Sequence, residues 1–293
     1  MRLEEALAAG DEALSIYAAL PLVDPEVVGG LEHIVGRAWI GMGRRDLALL
    51  HLSSAARTYA ELRGPDAPST IQYREDVAHL HFLEEDWKDA ADGYEEVVAS
   101  RERTGRMGEH DALAVLANLA EARARLGRGP EALDAARRAL AASADPAEKR
   151  SLQAVASELL IGRVLYESGR PEEALKPLLE GVGHALELSA NRRNALDCAR
   201  LYGAALVDLG RYDEAEYRLQ ETLGAQAAYL GPQHPDVSAT LAELARLYQL
   251  TGSPEDLAAV RGKQELAEKL RAAGVPPVFG AADDPPLAYR SYD

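Results

Sequence analysis

Gly210-Arg211-Tyr212-Asp213-Glu214-Ala215 is a phrase that the chain keeps returning to. Its relatives are Gly43-Arg44-Arg45-Asp46-Leu47-Ala48, Glu85-Asp86-Trp87-Lys88-Asp89-Ala90 and Gly127-Arg128-Gly129-Pro130-Glu131-Ala132. Two more follow the same plan, Gly169-Arg170-Pro171-Glu172-Glu173-Ala174 and Gly252-Ser253-Pro254-Glu255-Asp256-Leu257. The first residues stand at 43, 85, 127, 169, 210 and 252, so the spacings are 42, 42, 42, 41 and 42. A register held across most of the chain is the mark of a repeat architecture, in which one supersecondary unit stacks on the next.

The parts of the phrase have separate jobs. Gly closes a helix by taking a left-handed conformation that a β-carbon resists. The Pro and acidic residues after it suit the first turn of a second helix, where backbone N–H groups lack partners. The Ala lies inside that second helix, where a small side chain admits a neighbour. Seven residues before each turn stands Gly36, Ala78, Ala120, Gly162, Gly203 or Ala245. One residue earlier stand Val35, Val77, Leu119, Ile161, Tyr202 and Leu244, all large and apolar. Small beside large at fixed phase is what interlocking antiparallel helices require. The joints between helix pairs repeat as well: Gly64-Pro65-Asp66-Ala67-Pro68 corresponds to Gly231-Pro232-Gln233-His234-Pro235, an offset of 167, the sum of the four spacings from 43 to 210. Their prolines stop one helix and pre-set the next.

The turn Gly, the small residue before it and the Ala after it resemble the tetratricopeptide repeat (TPR). The longer period and the Gly-Pro-x-His-Pro-Asp joint at 231–236 are similar to the kinesin light chain-like class of that family, as is Thr240-Leu241-Ala242-Glu243-Leu244-Ala245-Arg246-Leu247-Tyr248. The Asn-Leu-Ala signature stands once, at Asn118-Leu119-Ala120; the equivalent positions carry Ile34, Asp76, Leu160, Leu201 and Glu243. The resemblance covers roughly residues 1 to 272 and implies an all-α fold, a right-handed α-solenoid of antiparallel helix pairs (the TPR superhelix). The expected organisation is a half repeat at 1–20, six repeats near 26–62, 68–104, 109–143, 147–188, 191–229 and 234–272, and a disordered Pro-rich tail at 273–293.

Composition agrees with helices. Apolar residues make up 47% of the 293, mostly Ala and Leu, while aromatics are 5%, so strand formers are sparse. The net charge is −16, which disfavours phosphate backbones and anionic lipid and leaves either a basic or neutral partner or simple solubility as its meaning. One cysteine, Cys198, excludes an intrachain disulfide and suits a reducing compartment. The start, Met1-Arg2-Leu3-Glu4-Glu5-Ala6, is acidic where a signal peptide is basic, and no stretch approaches the ~20 apolar residues of a membrane span. The expectation is a cytoplasmic protein with no membrane and no nucleic-acid partner; its Arg- and Ala-rich character points to a bacterium.

Counting back one period from Gly43 places Ala6 in register with Ala48, so the first helix, about 2 to 18, has no earlier partner. Leu3, Leu7, Leu14 and Tyr17 then form an apolar strip that either caps the array or offers an interface for a second copy or a partner, unless the sequence is cut from a longer protein. At the other end, Arg261, Gly262, Lys263, Gln264 and Glu265 make the last helix a polar cap. The tail carries Phe279, Tyr289, Arg290 and Tyr292, which make a short recognition segment conceivable.

In this fold the first helix of each pair lines the concave face. Phasing from the turn Gly puts His33, Arg37, Gln72, Glu75, Asp76 and His79 on its exposed side, then Asn118, Glu121 and Arg125, then Arg163, Tyr166, Arg200, Arg246 and Gln249. Arg163, Arg200 and Arg246 either hold a carboxylate of an acidic peptide or pair with neighbouring acids. Signatures of catalysis are missing from the sequence: no Gly-rich loop ending in Gly-Lys-Ser/Thr, no His-Glu-x-x-His and no Gly-x-Ser-x-Gly. His79 and His81 point to different faces of a helix, His234 belongs to a joint, and Cys198 reads as a buried inert thiol. The expectation is therefore a non-enzymatic interaction scaffold without cofactors, binding a peptide or helical segment of a protein partner on the concave face. The alternative is a ligand-sensing regulatory module that controls an associated effector. Self-association through the N-terminal half repeat is a further expected partnership.

Overall fold

The computed structural model describes residues 3–20, 24–107, 112–142, 152–187 and 192–276. Among these residues there are thirteen α-helices and no strands. They are α1 (Leu3–Ala18), α2 (Pro25–Gly41), α3 (Arg45–Arg63), α4 (Pro68–Leu83), α5 (Trp87–Arg103), α6 (Ala112–Arg125) and α7 (Gly129–Ala142). The rest are α8 (Leu152–Glu167), α9 (Pro171–Glu187), α10 (Arg192–Asp208), α11 (Tyr212–Leu230), α12 (Pro235–Thr251) and α13 (Pro254–Ala272). The chain forms two compact units that divide inside α7, residues 1–135 and 136–293. Within the first unit each helix from α1 to α6 packs on the next; within the second the same holds from α8 to α13. The expected tail from 277 onward lies outside the described residues.

The repeated phrase is a hinge of fixed geometry. Gly43, Gly127, Gly169, Gly210 and Gly252 have φ between +71° and +73°. At the one site where the phrase opens with another residue, Glu85 is forced into the same region at φ +59°. The residue after each of the six donates its N–H to the carbonyl five positions earlier, as from Arg44 to Trp39 (3.0 Å), Asp86 to His81 (2.9 Å) and Arg211 to Leu206 (2.9 Å). That bond closes the helix end and leaves the chain reversed. The Arg and Glu of the phrase then grip each other: Arg170 donates to both oxygens of Glu173 at 2.6 and 2.5 Å, and Arg211 to both of Glu214 at 2.9 and 2.7 Å. The Arg170 guanidinium holds Glu173 below the usual carboxylate range.

The small column is a set of contact points. A β-carbon on Gly36 would stand 2.7 Å from Leu52, one on Gly162 would stand 2.5 Å from Leu178, and one on Gly203 would stand 2.6 Å from Leu219. All three leucines are fully buried and sit nine residues after their turn Gly. Each large residue of the second helix thus fills the notch left in the first. The Ala column, Ala48, Ala90, Ala132, Ala174 and Ala215, is also fully buried.

At the N-terminus the apolar strip is largely covered. Leu7 is buried against Val35 and Ala38, with Leu14 and Trp39 at its edge, while Tyr17 is half-buried and Ile16 is exposed. The side chain of Leu3 lies outside the described residues. Among the described residues no helix is long and apolar enough to cross a membrane.

Candidate functional site

The first helices of the pairs, α2, α4 and α6 in one unit and α8, α10 and α12 in the other, carry all fourteen residues that the phase of the turns selects. In the first unit the structure divides them into two layers. His33 is half-buried, Arg37, Gln72 and Arg125 are exposed, and the side chain of Glu121 is mostly covered. Glu75, Asp76, His79 and Asn118, expected on the open surface, are buried. The reason is the repeat stacking itself. These positions face the crevice between one helix pair and the next, so the neighbouring pair closes over them.

Burying polar groups is costly unless they are hydrogen-bonded, and here they form a chain of pairs. Glu75 accepts from the guanidinium of Arg101 in α5 at 2.7 Å, with both side chains 5% exposed. Asp76 lies 2.8 Å from His33 Nε2, and the His33 ring stacks on Tyr73 with centroids 4.0 Å apart. The hydroxyl of Tyr94 lies 3.2 Å from His79 Nδ1 and accepts from the Asn118 amide at 2.9 Å. Above this layer, Glu121 accepts from Arg125 at 2.8 Å, one helical turn away. Polar contacts of this kind bind α2 to α4 and α4 to α5, and Tyr94 joins α4 to α6.

In the second unit three successive first helices converge. Arg246 of α12 donates to Asp208 of α10 at 2.5 Å, to Glu243 one turn behind it at 3.0 Å, and to the Ala204 carbonyl at 3.3 Å. Ala204 occupies in α10 the place that Arg163 and Arg246 occupy in their helices, six residues before the turn. Its small side chain leaves room for the guanidinium of Arg246 to reach back. Tyr166 of α8 completes the group; burial, Asp208 and Glu243 together push its hydroxyl up to about 12. Gln249, one turn beyond Arg246, is exposed.

The arginines expected to hold a carboxylate are thus engaged inside the molecule. Arg200 donates twice to Asp197 on its own helix, at 3.1 and 2.7 Å, and Arg163 is half-buried beside Cys198. Asp208 and Glu243, which lie outside the set that the phase of the turns selects, make the cluster acidic on balance. Asp208 is legible in the sequence: it stands two residues before its turn Gly, as does Arg125. Cys198 is fully buried, and desolvation pushes its thiol up to about 12, which disfavours the thiolate. His79 and His81 part as expected, the latter turning to Asp86 at 3.4 Å on the surface. His234 caps α12.

Residues 195–256 match the family model of the tetratricopeptide repeat. No curated protein matches the chain. Among solved structures, a kinesin light chain-type protein of TPR-like repeats from Podosopora anserina is 21% identical, with a TM-score of 0.53, over 71% of this chain and 98% of that one. BtubC (BKLC) from P. vanneervenii is 15% identical, with a TM-score of 0.56, over 98% of this chain and 96% of that one. The apo form of RapI is 14% identical, with a TM-score of 0.61, over 93% of this chain and 71% of that one. At such identities the likeness is one of fold, a stack of antiparallel helix pairs.

Proposed function

We propose that this chain, a TPR-type helical repeat protein by its fold and by the match over 195–256, is an interaction scaffold that holds a peptide or helical segment of a protein partner. The observation that carries the reading is Arg246 of α12 reaching back across the inner face to Asp208 and the Ala204 carbonyl of α10. Side chains locked together across helices form a surface shaped before the partner arrives, so little ordering entropy is lost on the scaffold's side. Gln249 is an exposed polar residue of α12, one turn from Arg246, and Arg37, Gln72 and Arg125 are exposed on α2, α4 and α6 of the other unit. With Asp208 and Glu243 against Arg246, the cluster carries one net negative charge and suits a basic side chain of the partner. In this reading the mechanism is reversible recognition. Cys198, which is in no disulfide, supports placing it in a reducing, cytoplasmic setting.

The test is quantitative pull-down with mass spectrometry, comparing the wild type with Asp208→Ala and with Gln249→Ala/Arg246→Glu. A partner whose recovery falls about tenfold in the variants, at unchanged helical content by circular dichroism, is the expected result. Identical partner recovery from all three proteins would sink the assignment of this face.

A further inference from the structure

The turn between α4 and α5 departs from the pattern of its neighbours. At four of the six turns the second residue is an Arg: Arg44, Arg128, Arg170 and Arg211. Arg44, Arg170 and Arg211 each hold an acid that follows, Asp46, Glu173 and Glu214. After Glu85 the second residue is Asp86, and the register puts Asp89 where Glu173 and Glu214 stand. A fixed cation has been exchanged for a second carboxylate. The residue four before the turn differs as well: it is His81 here, and Trp39, Arg123, Leu165, Leu206 or Tyr248 in the other repeats.

The three side chains meet. One ring nitrogen of His81 and one carboxylate oxygen each from Asp86 and Asp89 lie within 4.8 Å of one another. Asp86 is the N-cap of α5, where an Asp ordinarily accepts from a backbone N–H of the first turn, but its side chain makes no such bond. Its Oδ2 stands 3.4 Å from His81 Nδ1 instead. That is long for a hydrogen bond. It is the separation of two ligand atoms on one ion, since bonds of about 2.0–2.2 Å at the tetrahedral angle set them roughly 3.4 Å apart. Lys88 does not take the place of the missing guanidinium: it leans to Asp92 at 3.2 Å and stays 3.8 Å from Asp89. It is the one basic residue between 84 and 92, against Glu84, Glu85, Asp86, Asp89 and Asp92. His81 is half-buried, so its ring is held, while both aspartates are exposed and open to an ion from solvent.

We propose that His81, Asp86 and Asp89 bind a divalent zinc-class ion at the α4–α5 turn, with water completing its coordination. An imidazole beside carboxylates suits zinc better than magnesium or calcium, which take oxygen ligands. The ion stands in for the guanidinium of the other turns and ties the end of α4 to the start of α5. The stability of this turn then follows the supply of the ion. The inference uses none of the inner-face residues, so it and that assignment fail separately.

The test is zinc chloride titrated by calorimetry into the tag-free full chain after chelator treatment. The expected result is a single site of micromolar Kd and a melting temperature that rises with zinc. His81→Gln and Asp86→Asn should each weaken binding about tenfold or more, as losing even a ligand's support does. His51→Gln, at the half-buried pair with Glu32, should leave it unchanged. Asp86→Arg returns the guanidinium of the other turns; it should abolish zinc binding while the melting temperature in chelator is kept, which separates lost coordination from lost folding. Cobalt(II) in place of zinc should give a visible absorption that His81→Gln removes. A wild-type chain that takes up no zinc at about 100 µM overturns the proposal. So does uptake that survives His81→Gln or Asp86→Arg, which marks an adventitious ion on surface carboxylates.

Discussion

Gly203 shows how much a single hydrogen atom decides. Leu219 packs where its β-carbon would be, at 2.6 Å, and both residues are buried. Gly203→Val therefore overpacks the hairpin of α10 and α11 and should cost about 1–3 kcal/mol, read as a lower urea midpoint at unchanged slope. Glu85 is the opposite case. It sits at φ +59° in the turn where the other repeats carry Gly, and its exposed side chain makes the strained backbone its main feature. An L-residue there costs about 1–2 kcal/mol, partly offset because Gly loses more freedom on folding. Glu85→Gly should stabilise the protein by about 0.5–1 kcal/mol; a melting temperature that falls would refute the strain argument. Both positions were visible in the repeat register, the first as a member of the small column, the second as the only non-Gly at a turn.

Among the helices, α12 carries a titratable cap. His234 Nδ1 accepts from the Asp236 N–H at 3.1 Å, which requires that nitrogen to be unprotonated. Burial holds His234 below the ordinary histidine range, with Arg193 acting the same way and Asp236 partly opposing. The folded state thus binds the proton less readily than the unfolded chain. Below the unfolded value of about 6.5 the unfolded state carries more protons, so stability is full above that pH and declines as pH falls toward the lower folded value. Lowering the pH from 7 to 5 should reduce the amide protection of the first turn of α12, taken relative to the intrinsic exchange rate at each pH, more than that of α11. His234→Asn keeps a capping acceptor and should remove that pH dependence; an equal pH response in both proteins would show that the cap is not the titrating device. The sequence placed His234 in a joint, but its role needed the hydrogen-bond geometry, because the same His-Pro-Asp could have turned its ring to solvent.

For the molecule as a whole, the charge of −16 sets the electrostatic response. The Arg–Glu pairs at the turns, such as Arg170–Glu173 and Arg211–Glu214, are exposed and worth little. General repulsion among the surplus acids is the larger effect, and salt screens it over about 10 Å at 0.1 M. The melting temperature should therefore rise between 10 and 200 mM sodium chloride, as read by circular dichroism; a fall would mean that the ion pairs dominate. How the helices pair was determined by the sequence alone, since turn Gly, small residue and buried Ala act locally and recur with a period any reader can count. Which side chains are open to a partner was decided only by tertiary structure. The phase of a helix tells which way Glu75, Asp76, His79 and Asn118 point, but not that the next hairpin closes over them with Arg101 and Tyr94. Nor does it tell that Ala204 makes room for Arg246 to join Asp208. Exposure belongs to the stack of repeats, and no repeat carries it in its own letters.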